Sequence, residues 1–204
     1  MIFEKSENEF LEKINSELKL IFKPGEKVAV KLHMGESGNK THLGHQFVKK
    51  AVLILKGNQC NPFLFDSPAM YEGGRNTSEK YLKTAEENGF SEENIGCPII
   101  ISNNSHAIDT PNLKAEVCKD LIEADSMLVL THVKGHMCSG IGGSIKNLGM
   151  GAVSKKTKSD IHSFANAILV GDCINCNSCV TACPVGAISK GPEHITINQK
   201  ACWG

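Results

Sequence analysis

The chain has 204 residues, of which 41% are hydrophobic, and its 22 basic residues balance 22 acidic ones. That length supports one medium core with a small appendage, while a formal net charge of zero leaves no summed field to draw the chain onto nucleic acid or an anionic membrane. One tryptophan and two tyrosines are also too few to stack a run of bases.

The opening residues Met1 to Glu7 mix charges into every turn and contain no apolar run of signal-peptide or membrane-span length, so the expectation is a soluble cytoplasmic protein. Phe10, Leu11, Ile14, Leu18 and Ile21 fall at helical spacing, which predicts an amphipathic opening helix within residues 1–24, stopped by Pro24-Gly25. Val28-Ala29-Val30-Lys31-Leu32 reads as a buried strand, and Leu43, Phe47, Ala51 and Leu55 mark a helix over 43–56 that Gly57-Asn58 ends. The unit repeats with Pro62 to Phe65 as strand, 77–88 as a helix stopped by Gly89, and Pro98 to Ile101 as strand.

Such alternation implies crossover connections and an α/β fold with a mostly parallel sheet and flanking helices. Residues 103–112 read as polar and irregular, a short helix is expected near 118–124, and Met127 to Leu130 is expected as a core strand. From 135 to 151 glycines dominate and little regular structure is expected beyond a helical turn over 144–148. The composition turns cysteine-rich by residue 172, so the α/β domain is taken as 1–168 and a small C-terminal module as 169–204.

Nine cysteines are an odd number, which argues for metal ligation over a disulfide framework. Cys173, Cys176 and Cys179 lie three apart, and Cys183 follows four further on with Pro184 behind it, the run of a bacterial-type ferredoxin. Two-residue spacers let one tight loop aim three thiolates at three corners of a 4Fe-4S cubane. Zinc is the competing occupant of such a thiolate set.

In two-cluster ferredoxins the fourth cysteine serves the other cluster. Val185 to Ile188 and Ile195 to Ile197 read as the intervening hairpin, and Cys202-Trp203-Gly204 reads as the opening of a second run. Two clusters are therefore expected in a full-length protein, with at most one complete here and only if Cys183 turns inward. Cys60, Cys97 and Cys118 read as small core residues.

In an open α/β sheet the ligand crevice lies beyond the carboxyl ends of the strands. Lys31, His33, Glu36 and Asn39 to His42 follow the first predicted strand, Asp66 and Arg75 the second, and Thr131, His132, Lys134 and His136 the last. His33, His132 and His136 are candidates for a metal site or an acid-base pair, and Lys31, Lys134 and Lys146 for holding a small anionic substrate. Gly142, Gly143, Lys146 and Asn147 belong to a glycine-rich loop that is either an anion cradle at a helix start or a close-packing device.

The segments Val30 to Asn39, Thr131 to His136, Gly142 to Gly151 and the cysteine run together resemble the family named domain of unknown function 362, from about Lys27 onward. The resemblance implies an iron-sulfur protein, often with a two-cluster ferredoxin insert or tail, whose large domain has no settled reaction. It does not fix a cysteine at position 138, in the histidine loop. The expected function is electron transfer to a substrate or cofactor at the His/Lys edge, with a redox partner protein or a small anionic substrate as the expected partner; the alternatives are a ferredoxin-like carrier with a docking domain and a metal-handling protein in cofactor assembly, with Cys138 as a further ligand.

Overall fold

The computed structural model describes residues 7–136, 139–199 and 201–202. The chain divides into two compact units, 1–157 and 158–204. Unit one runs α1 (Glu7–Ile21), β1 (Lys27–Lys31), α2 (His45–Gly57), β2 (Asn61–Asp66), α3 (Ser78–Glu87), α4 (Glu92–Ile95) and β3 (Ile99–Ile101). It continues with β4 (Ser105–Asp109), β5 (Lys114–Cys118), α5 (Lys119–Ile122), β6 (Ser126–Val129), β7 (Lys134–His136), β8 (Gly140–Gly142) and α6 (Ser144–Gly151). The division between units falls inside α7 (Lys155–Phe164), and unit two then holds α8 (Ser178–Ala182), β9 (Ile188–Lys190) and β10 (Ile195–Ile197).

The main sheet is parallel throughout, in the order β3-β2-β1-β6. β1 and β2 are buried along all but their first residue, as central strands covered on both faces must be. Side chains alternate between faces. Val28, Val30 and Leu64 join Val48, Val52 and Leu55 of α2, Tyr81 and Ala85 of α3 and Leu18 of α1 in one core. Ala29, Phe63 and Phe65 face the other way, onto Cys118 and Leu121.

Local signals end the helices where physical chemistry expects. Thr77 caps α3 by accepting from the Lys80 amide at 3.2 Å, and Ser91 caps α4 in the same way through Asn94. In α1 Leu18 is buried and Ile14 packs against the core, with Phe22 buried just past the helix end, while Ile21, expected on the buried face, is 62% exposed. Phe10 and Leu11 lie where no side chain is described.

Several stretches differ from expectation. Residues 105–118, expected irregular in their first half, form the antiparallel pair β4/β5, in which β4 is largely exposed and carries no apolar alternation while β5 is half-buried and ends in buried Cys118. β7 and β8 also pair, Lys134 with Gly142 and His136 with Gly140, because backbone hydrogen bonds need no apolar side chains. Met127 to Val129 do form a strand, but β6 is at the sheet edge and only half-buried. No helix among the described residues is long and apolar enough to cross a membrane.

Candidate functional site

The chain lays β2 and β3 on one side of β1 and returns to add β6 on the other, so the strand order reverses between β1 and β6. A crevice opens beyond the carboxyl ends at such a point. Lys31 ends β1 and is completely buried, with its ammonium 2.9 Å from Asp66 Oδ1, 2.6 Å from Asn147 Oδ1 and 3.5 Å from the Leu32 carbonyl. Asp66, the last residue of β2, accepts in addition from the Ser67 amide at 2.9 Å and from the Tyr81 hydroxyl at 2.5 Å.

Burial opposes the charge on Asp66, but Lys31, His33 and the Tyr81 hydroxyl outweigh it and hold the carboxyl below the ordinary range. Burial and the same carboxylate push the Tyr81 phenol well up. Tyr81 OH also accepts from the Met34 amide at 3.1 Å, which ties α3 to the segment leaving β1.

Asn147 carries α6 into this network. While its oxygen accepts from Lys31, its Nδ2 donates to the Leu130 carbonyl at 3.1 Å and to Thr131 Oγ1 at 2.9 Å, both just beyond β6. At the far end of α6, a Cβ on Gly151 would meet the Lys31 ammonium and come within 2.8 Å of Asp66 Oδ1. Glycine is required there by close approach rather than by backbone conformation. The structure thus brings Lys31 and Asn147 together, each occupied by the other; Gly142 is the buried last residue of β8, Gly143 is the N-cap of α6, and Lys146 is half-buried on that helix.

His33 follows β1 and is half-buried. Its Nδ1 accepts from the Gly35 amide at 2.9 Å, so the neutral ring carries its proton on Nε2. Burial and then Arg75 lower its pKa to about 4. An unfolded chain binds this proton below pH 6.5 and the folded chain does not until about 4, so unfolding free energy should fall on acidification through that window, by up to about 3 kcal/mol. Chemical denaturation at pH 7 and pH 4.5 should show the loss, and His33→Gln should flatten it.

Beside His33, Glu36 accepts from Arg75 Nη2 and, at 2.8 Å, from the Tyr71 hydroxyl; Arg75 Nη2 also donates to Tyr71 OH. Although burial opposes it, these hydrogen bonds hold the Glu36 carboxyl low. Of the remaining expected residues, His132 and Lys134 are exposed, and His136 Nδ1 accepts from the Ser139 amide at 3.2 Å. No three His, Cys, Asp or Glu side chains stand together as a metal-ligating group among the described residues, while Met137 and Cys138 lie outside them.

In unit two, Cys173 and Cys176 flank Asn175, and Cys176 and Cys179 flank Asn177, Ser178. Both asparagines adopt left-handed backbone, with φ of 57° and 64°. Alternating backbone of this kind turns amides toward one concavity, as at anion and iron-sulfur sites. The Asn175 amide lies 3.4 Å from Cys173 Sγ, Ser178 Oγ lies 3.4 Å from Cys176 Sγ, and the Ala187 amide lies 3.3 Å from Cys183 Sγ.

Hydrogen bonds from Ser178 lower the Cys176 thiol, and backbone amides, Val185 first, lower that of Cys183. Burial does the opposite to Cys97, pushed up to about 11, and to Cys60. Thiolate is therefore favoured at Cys176 and Cys183 and disfavoured at Cys60 and Cys97. Asn175 Oδ1 and Asn177 Oδ1 are buried without a partner, so the polar groups of this loop are not all satisfied by protein. β9 and β10 pair antiparallel, with Ile195 of β10 and Ala187 ahead of β9 buried; Cys202 follows a turn in which its amide donates to the Asn198 carbonyl at 3.0 Å, while Trp203 and Gly204 lie outside the described residues.

Sheet order, the buried Lys31-Asp66-Tyr81 network at the reversal point and the glycine-rich α6 define an α/β protein with a parallel four-stranded sheet and flanking helices. The chain belongs to the family described as Domain of unknown function (DUF362), whose sequence model matches residues 28–194. No curated protein and no solved structure matches it.

Proposed function

We propose that this is a 4Fe-4S protein that delivers electrons to a small anionic substrate held at the strand edge of unit one. The observation that carries the reading is the Cys173, Cys176, Cys179, Cys183 run ahead of Pro184, set in a loop with left-handed Asn175 and Asn177 and amides directed at its sulfurs. Cys173, Cys176 and Cys179 would hold the cluster, with Cys183 or a later cysteine such as Cys202 as further ligands. A bound cluster supplies one-electron chemistry, commonly at low potential.

The protein's part is to tune and to bind. Ser178 lies within reach of the Cys176 sulfur, and its hydroxyl, donating to a thiolate there, stabilises negative charge and raises the potential. Ser178→Ala should lower the midpoint potential by ~40 mV, the one-electron equivalent of a hydrogen bond of about 1 kcal/mol; redox titration reads the shift. In unit one, His33, His132, Lys134 and His136 would present donors and positive charge to the substrate, on a frame that Lys31 and Asn147 hold together. Eight described cysteines form no disulfide, which suits a reducing interior such as the cytoplasm.

Anaerobic reconstitution with ferrous iron and sulfide tests the cluster. Broad visible absorbance that dithionite bleaches is expected; a protein that remains colourless would overturn the reading.

A further inference from the structure

Arg75 is engaged through one nitrogen. It is 7% exposed, its guanidinium carbon stands 5.1 Å from the Tyr81 ring centre and 5.7 Å from that of Tyr71, and Nη2 alone donates, to Glu36 Oε1 and to Tyr71 OH. Nε is buried with no partner. A guanidinium presents its donors as a planar fork, and a carboxylate or phosphate fills two of them at once. A buried donor left without an acceptor is unfavourable, so an acceptor that reaches it is bound more tightly.

Glu36 fills the fork badly because one oxygen takes both Arg75 and Tyr71, leaving Nε without an acceptor. Both holders of Arg75 are accessible: the Glu36 side chain is 36% exposed and Tyr71 is 56% exposed. Either can swing outward without uncovering the core. The surroundings accept negative charge, since Asp66 is already balanced by Lys31 and His33, three residues before Glu36, holds an uncharged ring whose donor is Nε2–H.

We propose that Arg75 is the receptor for a small oxyanion, a carboxylate or a phosphate, and that the Glu36 carboxylate is its resident stand-in, displaced when the oxyanion takes Nη2 and Nε together. The inference rests on the reading that the strand edge of unit one holds the substrate, and it gives that substrate a chemical class. Arg75 thereby selects the guest, and Glu36 sets the threshold at which the guest enters.

Isothermal titration of the full chain with oxalate and, separately, inorganic phosphate tests it. Glu36→Gln keeps the side-chain shape and removes the competing charge, so it should bind one of the two about tenfold more tightly than the unaltered chain; Arg75→Lys, which lacks the fork, should bind about tenfold more weakly. The anion that responds separates carboxylate from phosphate. Equal affinity of Glu36→Gln and the unaltered chain, or no binding by either, overturns the proposal, and this comparison decides alone if circular dichroism shows Arg75→Lys unfolded. Visible absorbance of the same reconstituted samples reads cluster content independently, so failure of oxyanion binding and failure of the cluster reading are told apart.

Discussion

Lys31→Met should lower the unfolding free energy of the 1–157 unit by about 3–5 kcal/mol at pH 7, because it leaves the Asp66 carboxylate buried without its counter-charge. Methionine fills the stem of the lysine but cannot donate to Asp66 Oδ1 or Asn147 Oδ1. The pH dependence should also change sign. In the unaltered chain the Asp66 carboxyl is held low, so its stabilisation is full above the unfolded pKa and is lost as pH falls through the folded one.

Without Lys31, burial dominates and the same carboxyl rises above the ordinary range. The variant should then be relatively more stable at pH 5 than at pH 7, once the opposing His33 contribution is subtracted by making both measurements in a His33→Gln background. Urea denaturation at the two pH values reads both the size and the sign. A loss under 1 kcal/mol would mean that the Lys31-Asp66 pair does not anchor the carboxyl ends of β1 and β2.

The second large effect concerns the proposed cluster. Cys179 sits in α8, one residue after its first position, and is the third of the four cysteines in the run. Cys179→Ala should abolish cluster incorporation, whereas Cys97→Ala should leave it unchanged, since the Cys97 thiol is buried in the core and pushed up to about 11. Iron content after anaerobic reconstitution compares the two. Equal loss in both variants would indicate a general folding defect, not ligand removal.

Much of the fold was legible in the residues. The parallel strands β1 and β2 announce themselves as short apolar runs, and α2 and α3 by helical spacing with a glycine or asparagine at the stop, because burial of one face imposes the pattern. β4, β7 and β8 were illegible because they pair with a neighbour rather than with the core, so nothing selects apolar side chains along them. α7 was equally silent, being rich in lysine and serine.

The candidate site was half legible. Lys31, His33, Asp66 and Arg75 stand out by position, just at or after predicted strands, and the structure gathers them at the ends of β1 and β2. Tyr81 carried no signal: at its place in α3 it reads as one more core aromatic, and only the fold shows its hydroxyl donating to Asp66. The glycine-rich segment left two uses open, and at Gly151 close packing is the one observed. The cysteine run stands out by spacing alone, independent of the rest of the fold, and the cluster read from it is the proposal that reconstitution tests.

Elemental analysis of the anaerobically purified chain tests the central claim most directly. Iron and acid-labile sulfide in equal amounts, approaching about four of each per chain, is the result predicted for a 4Fe-4S protein. Zinc bound by the same cysteines with no labile sulfide would contradict it.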